Sequence, residues 1–173
     1  MSFPGPRDWN LVVAGLNEAG EPDFAVGAPP EAVVDQPGIV QGAWYWRADN
    51  GHSRERPGAV PNTSDIAGPN GSTFGVVRFA ANSAGKARPA KLDVSSTPMG
   101  AETGHEEDPA MHATDTVDYE VVLSGKIDLE LPSGKVHTLV PGDLLVMAGV
   151  PHAWKNRYDE DCIFLAVTIG YNA

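Results

Sequence analysis

One cysteine in 173 residues, Cys162, rules out an intrachain disulfide and a Cys-x-x-Cys metal or redox pair. It precedes Ile163-Phe-Leu-Ala-Val167 and reads as a small buried apolar side chain. Basic residues are scarce as well: 12 Lys and Arg face 23 Asp and Glu, a net charge of -11. Such a chain repels a polyanion at long range. Its densest basic cluster, Arg54 and Arg56 in a Pro/Gly-rich loop, is too thin to reverse that, so nucleic acid is not an expected partner. No apolar run approaches the roughly 18 residues needed to span a bilayer. The start, Met1-Ser-Phe-Pro-Gly-Pro-Arg-Asp8, lacks the basic stretch and apolar core of a secretion signal. The expectation is a cytoplasmic protein without membrane contact, in which Asn62-Thr-Ser64 and Asn70-Gly-Ser72 are turns rather than glycosylation sites. A glycine-rich phosphate loop and a Gly-x-Ser-x-Gly elbow are both missing, which leaves nucleotide-binding and serine-hydrolase readings without support.

Helical periodicity is also absent, since no window keeps apolar residues at i, i+3, i+4 and i+7 over ten or more positions. What is present is punctuation. Nineteen glycines and fifteen prolines cut the chain into short β-branched and aromatic segments, the pattern of an all-β protein. Leu11 to Ala14 and Asp23 to Val26 flank a turn-rich stretch and read as a hairpin; Ala43 to Trp46 and Phe74 to Phe79 are further strands, with a long polar loop from Ala48 to Ser72 between them. Beyond Pro109 strands are expected at Tyr119 to Leu123, Lys126 to Leu131, Val136 to Leu139, Leu144 to Met147, His152 to Asn156 and Ile163 to Thr168. Lys126, Asp128 and Glu130 alternate with Ile127, Leu129 and Leu131, which predicts one wet and one dry face. A chain of this length buries about 70% of its unfolded surface, enough for a core without metal or disulfide. The simplest organisation is one domain, with residues 1–73 as a β-rich extension carrying the hairpin and long loop, and residues 74–173 as the barrel.

The chemistry-bearing residues gather in two stretches. Met111-His112-Ala-Thr114-Asp-Thr-Val-Asp118-Tyr-Glu120 runs into an apolar strand ending at Gly125, and Pro141-Gly142-Asp143 leads through Gly149 to His152-Ala-Trp154-Lys-Asn156. Two imidazoles and a carboxylate are ligand types that iron, manganese, nickel and zinc accept. From His112 to Asn156 the chain resembles the two motifs of the cupin superfamily, with flanking strands extending the likeness to about residues 74–170. His112, Asp118 and Gly125 stand at the histidine, glutamate and glycine positions of the first motif; Gly142, Gly149, His152 and Asn156 match the second. The resemblance implies a double-stranded β-helix, or jelly-roll, barrel with a divalent metal inside. This chain departs from the family pattern at Thr114, in the second histidine position, and at Asp118, an aspartate for a glutamate.

The leading expectation is a small cupin enzyme acting on a small organic molecule, with His112, Asp118 and His152 holding the metal, iron before manganese, nickel or zinc. Dioxygenase, decarboxylase, isomerase and lyase chemistries all occur on this fold. Residues two apart on a strand share a face. His152 therefore shares its direction with Trp154 and Asn156, and Asp118 with Glu120, so that Thr114, Trp154 and Asn156 are expected to line the substrate and Glu120 to serve as a substitute ligand or general base. Two alternatives stay open: a metal-free His/Asp acid–base dehydratase or isomerase, and a non-catalytic small-molecule-binding module. His105, His137 and His52 read as solvent-facing. Exposed strand edges call for pairing, and the expectation is a homodimer whose N-terminal segment packs on, or exchanges with, its partner.

Overall fold

The computed structural model describes residues 3–53, 57–86, 103–105 and 108–171. Among them the regular structure is thirteen strands without a helix. Strands β1 (Val12–Leu16) and β2 (Pro22–Val26) form a hairpin that pairs only with itself. Its turn is fixed by the Asn17 side-chain oxygen, which accepts from the Ala19 and Glu21 N–H groups, each at 3.0 Å. A six-stranded antiparallel sheet contains β3 (Ala32–Gln36), β4 (Val40–Ala48), β5 (Ser72–Phe79), β8 (Thr116–Ser124), β11 (Leu144–Ala148) and β13 (Cys162–Gly170), in the order β11-β8-β13-β5-β4-β3. Facing it are β9 (Ile127–Glu130), β10 (Val136–Leu139) and β12 (Ala153–Lys155), in the order β10-β9-β12. The remaining pair, β6 (Thr103–His105) and β7 (Asp108–His112), is tied to β12 by an antiparallel bridge between His112 and His152.

Period-two alternation sorts each strand onto two faces, and the inward faces make the core. Val122, Phe79, Phe164 and Ala166 of the large sheet meet Ile127, Leu139, Leu129 and Trp154 of the small one. Each Val, Leu, Ile or Phe side chain among them contributes roughly 1.5–3 kcal/mol when fully removed from water. Outside the large sheet lies a second cluster, where Trp9 and Leu11 cover Ala43, Tyr45, Val76, Ile163 and Leu123. The buried Tyr45 hydroxyl fastens this N-terminal segment, donating to the Pro6 carbonyl at 2.7 Å and accepting from the Trp9 N–H at 3.0 Å.

Two features differ from the sequence expectation. β3, β6 and β7 form where no strand is expected, because they are held by backbone pairing, β3 with β4 and β6 with β7, rather than by alternation of their own side chains. Asp128 is not on a wet face: it is buried, and its carboxylate accepts from Tyr158 OH at 2.7 Å, Thr138 Oγ1 at 2.7 Å and Arg157 at 2.8 Å. Thr138 of β10 and Arg157 and Tyr158, just after β12, close over that side of β9. The long connection after Ala48 is held against the barrel, since Ala59 exchanges hydrogen bonds with Arg47 at 2.8 and 2.9 Å and Asn70 N–H donates to the Gly170 carbonyl at 3.0 Å. Arg54 and Arg56, the sparse basic cluster, lie outside the described residues.

Candidate active site

The bridge between β7 and β12 sets the first half of the site. His112 and His152 exchange both backbone hydrogen bonds, at 2.9 and 2.8 Å, so they are direct cross-strand partners. Their imidazoles leave the same side with ring centroids 4.4 Å apart and planes tilted by 52°. Each ring is anchored alike: His112 Nδ1 donates to the Ala110 carbonyl and His152 Nδ1 to the Val150 carbonyl, both at 2.9 Å. A carbonyl oxygen only accepts, so Nδ1 carries the hydrogen, and in the neutral ring the lone pair sits on Nε2. Trp154, two residues along from the buried His152, meets it edge-on at 6.0 Å and packs on Phe164 at 5.0 Å.

The facing half comes from β8. Val122 lies in the core, and strand parity carries Glu120, Asp118 and Thr116 to the same inward face. Thr114 and Thr116 share a hydrogen bond between their hydroxyls at 2.7 Å, and Thr116 in turn hydrogen-bonds Asp118. Asp118 is only 5% exposed. Its Oδ1, the Oε2 of Glu120 and the Oγ1 of Thr168 are buried without a hydrogen-bond partner among the described residues. Thr168 is the register partner of Asp118 across β8 and β13, and Ala166 that of Glu120, so these oxygens occupy one patch of the barrel wall. Burial raises the Asp118 carboxyl above its ordinary range, against the lowering effect of Thr116. Burial, with the neighbouring Asp118 charge added, pushes Glu120 up to about 8. Burial likewise pushes the Cys162 thiol up to about 12, which leaves it a core residue without nucleophilic character at neutral pH.

The structure thus brings His112, His152 and Trp154 together on one wall and Asp118, Glu120 and Thr114 on the other. Asn156 is buried, but its side chain is committed to the turn that follows: Nδ2 donates to the Phe79 carbonyl at 3.2 Å and the Glu160 carbonyl at 2.9 Å, and Oδ1 accepts from the Tyr158 N–H at 3.0 Å. His137 and His52 are exposed, and the His105 side chain lies outside the described residues. Thr116 and Thr168 were not singled out by sequence; strand parity places Thr116 beside Asp118, whereas Thr168 arrives there through the β8–β13 register.

Residues 99–168 match the family model described as "Cupin domain". Residues 99–168 are a cupin domain. Over 93% of its length it superposes on 87% of the Schizosaccharomyces pombe Cnp3 cupin domain with a TM-score of 0.50 at 11% identity, a likeness of fold alone. Its antiparallel two-sheet architecture is the jelly-roll β fold of that superfamily. Among curated proteins, the "Phomopsin biosynthesis cluster protein C'" of Diaporthe leptostromiformis is 51% identical over 47 residues, 27% of this chain and 25% of that protein. The "Oryzines biosynthesis cluster protein J" of Aspergillus oryzae is 39% identical over 49 residues, 28% of this chain and 27% of that protein. The matched stretch spans about a quarter of the length of these relatives.

Whether the cupin domain fits a metal is decided by its donor set. Two Nδ1-anchored imidazoles side by side suit two ligand positions, because such anchoring orients the Nε2 lone pair. Yet no three His, Cys, Asp or Glu side chains among the described residues are grouped so that they could hold an ion. Asp118 belongs to the opposite sheet, one methylene shorter than the glutamate of the family pattern, and Thr116 ties it back along its own strand. Among the described residues, His112 and His152 form a two-histidine half-site, and no third His, Cys, Asp or Glu is grouped with them.

Proposed function

We propose that this cupin domain is an enzyme that moves protons on a small organic molecule, in the manner of an isomerase or dehydratase. The observation that carries the reading is the pairing of walls: an imidazole pair on β7 and β12 stands on one wall of the barrel, and on the other, β8 carries buried carboxyl oxygens without a hydrogen-bond partner among the described residues. Buried polar groups are nearly always hydrogen-bonded, so such oxygens point to a polar group of a bound molecule as their complement. The imidazole lone pair takes a proton from the substrate; the Glu120 carboxyl, neutral through most of the physiological range, delivers one to a second substrate atom. Proton count is conserved over the two transfers, and water departs where the acceptor atom is a hydroxyl. Asp118 positions the substrate, while Trp154 and Phe164 supply an apolar wall that keeps water from the transfer. The names of the curated relatives, drawn from biosynthesis clusters, support a biosynthetic intermediate as the substrate.

The anchored imidazoles favour a second reading, in which His112 and His152, with Asp118 swung toward them, hold iron or else manganese, nickel or zinc. Bound there, a metal would act as a Lewis acid or oxygen activator. A screen of hydroxy acids and aromatic acids for turnover, run alongside metal analysis, tests both. The acid–base reading expects turnover that Glu120→Gln and His112→Ala each abolish and that metal chelation spares. Turnover retained in Glu120→Gln sinks it. Near-stoichiometric metal that disappears in His112→Ala and His152→Ala selects the second reading, and binding without turnover across the panel selects a non-catalytic module.

A further inference from the structure

The two site histidines are anchored by the same contact but not by the same means. On the β12 side the anchoring carbonyl is that of Val150, and Pro151, between it and His152, holds φ at roughly −65°. The chain itself aims that carbonyl. On the β7 side the anchor is the Ala110 carbonyl, and Met111 stands where the proline would be, so nothing in the covalent chain fixes its direction. Backbone pairing does not fix it either. The antiparallel register that pairs His112 with His152 would next pair Ala110 with Trp154, but the Ala110 N–H is turned to Asp108 Oδ1 at 3.0 Å. That carboxylate is in turn gripped by Lys155 of β12, whose Nζ lies 2.8 Å from Oδ1 and 2.7 Å from Oδ2. Both side chains are largely shielded from water, Lys155 at 12% and Asp108 at 26% exposed.

We infer that the Lys155–Asp108 ion pair is a positioning clamp for His112, fixing Ala110 so that the His112 ring keeps its hydrogen on Nδ1 and its lone pair on Nε2. As a device for catalysis the clamp rests on the acid–base reading; as a device for the ring it stands on the contacts alone. The contacts run in series. Lys155 holds Asp108, Asp108 holds the Ala110 N–H, and the Ala110 carbonyl accepts from His112 Nδ1 at 2.9 Å. A neutral ring released from that carbonyl samples both tautomers, and with the hydrogen on Nε2 it has no lone pair there to take a proton. Burial alone would raise the Asp108 carboxyl, but the hydrogen bonds from Lys155 and the Ala110 N–H, with the Lys155 and Arg157 charges, hold it below its ordinary range. The clamp is therefore charged and closed at neutral pH, and charge-assisted hydrogen bonds are the strong ones. Lys155 reaches Asp108 from β12, the strand that follows His152 and carries Trp154. One ion pair thus ties the strand beside one histidine to the anchor of the other, across a junction whose described backbone pairing is a single bridge.

Nitrogen-15 NMR of the imidazole rings in the full chain without substrate, at about pH 8 where an ordinary histidine is neutral, tests the clamp. The His112 signals, identified by their loss in His112→Gln, are expected to show one tautomer, with the hydrogen on Nδ1. Asp108→Ala removes the acceptor of the Ala110 N–H, and Lys155→Met removes the charge that holds it. Each is expected to move the His112 nitrogens toward the averaged shifts of a tautomer mixture while His152 keeps its own. Lys155→Arg, which retains the ion pair, keeps the wild-type signals. Gly134→Ala, at a turn with nothing near its added Cβ, loses stability without touching the clamp and leaves both rings unchanged. With a substrate that the wild type turns over, Asp108→Ala and Lys155→Met lower kcat, by up to about 100-fold for a displaced base, with KM little changed. If Asp108→Ala does not fold, Lys155→Met decides alone. Unchanged His112 signals in the folded variants, equal changes in His112 and His152, or the same change in Gly134→Ala overturns the clamp, and an unchanged kcat overturns its catalytic role. A wild type that shows the expected ring signals but turns over nothing overturns the acid–base reading and leaves the clamp standing.

Discussion

Asp118 on β8 and Thr168 on β13 are register partners, and each presents to the barrel interior a buried oxygen that no donor of the described protein reaches. An unmatched buried hydroxyl costs about 1–3 kcal/mol. Replacing Thr168 with valine keeps the β-branched shape and removes the hydroxyl, so Thr168→Val is expected to stabilise the ligand-free protein by about 1 kcal/mol in urea unfolding. The same change should weaken substrate binding if that oxygen serves the ligand. A loss of stability instead would mean the hydroxyl is satisfied in solution.

Glu120 gives a pH signature. Its folded carboxyl titrates near 8 and its ordinary value is 4.5, so between those values the folded state holds a proton that the unfolded chain has released. Stability attributable to Glu120 is therefore highest below pH 4.5, falls as pH rises toward 8, and is level above that. The slope reaches up to about 1.4 kcal/mol per pH unit. Other groups titrate in the same range, so the measurement is the difference between wild type and Glu120→Gln, which should grow in favour of the variant from pH 5 to 8. A protonated-carboxyl infrared band at pH 7, missing in Glu120→Gln, checks the same state directly. Parallel stability curves for the two proteins would place Glu120 at an ordinary value.

Strand content was legible wherever β-branched residues alternate between Gly and Pro turns: Val136 to Leu139 coincides with β10, and the other expected strands beyond Pro109 fall within a few residues of those observed. The pairing of His112 with His152 was not legible. β7 contains Pro109 and follows an acidic stretch, and it is held by backbone pairing with β6 and by a single bridge to a segment forty residues away. The carboxylate side of the site was readable, since parity alone puts Asp118 and Glu120 on one face; that this face looks inward required Val122 to be seen in the core. Asp128 misled because alternation reports which side of a strand a residue takes, not what later folds over that side. The expected grouping of His112, Asp118 and His152 is not found among the described residues, and a spacing motif could not report this, because Asp118 and His152 stand on different sheets.

Asp128 is held by three donors, and removing the charge should be felt across the small sheet. Burial alone would raise its carboxyl, but the hydrogen bonds from Tyr158, Thr138 and Arg157 outweigh it and bring it below the ordinary value. Its contribution is thus present above about pH 4 and is lost as pH falls through the lowered folded value. Hydrogen bonds to charged groups are worth about 1.5–3 kcal/mol, and Arg157 is partly exposed, so Asp128→Asn is expected to cost about 2 kcal/mol near neutral pH. Equal stability of the two proteins at pH 7 would show the network to be decorative.

Gly125, at the turn between β8 and β9, tests how tightly the first motif is built. Its φ is +68°, and a Cβ there would run into the Asp161 carbonyl oxygen and lie 2.8 Å from the Asp161 carbonyl carbon. Backbone atoms at that distance cannot yield as a side-chain tip would, because Asp161 is itself fixed: its Oδ1 accepts from the Ala81 N–H at 2.8 Å and its other oxygen binds Arg78. Gly134 has a similar φ of +74° with nothing within 4 Å of a built Cβ. Left-handed backbone alone costs a non-glycine residue roughly 1–2 kcal/mol, so Gly134→Ala should lose about 1 kcal/mol, whereas Gly125→Ala adds a collision and should lose 3 kcal/mol or more, by roughly the size of other overpacked sites. Thermal unfolding of the pair separates the two contributions, and equal losses would mean that conformation, not the contact with Asp161, demands glycine at position 125.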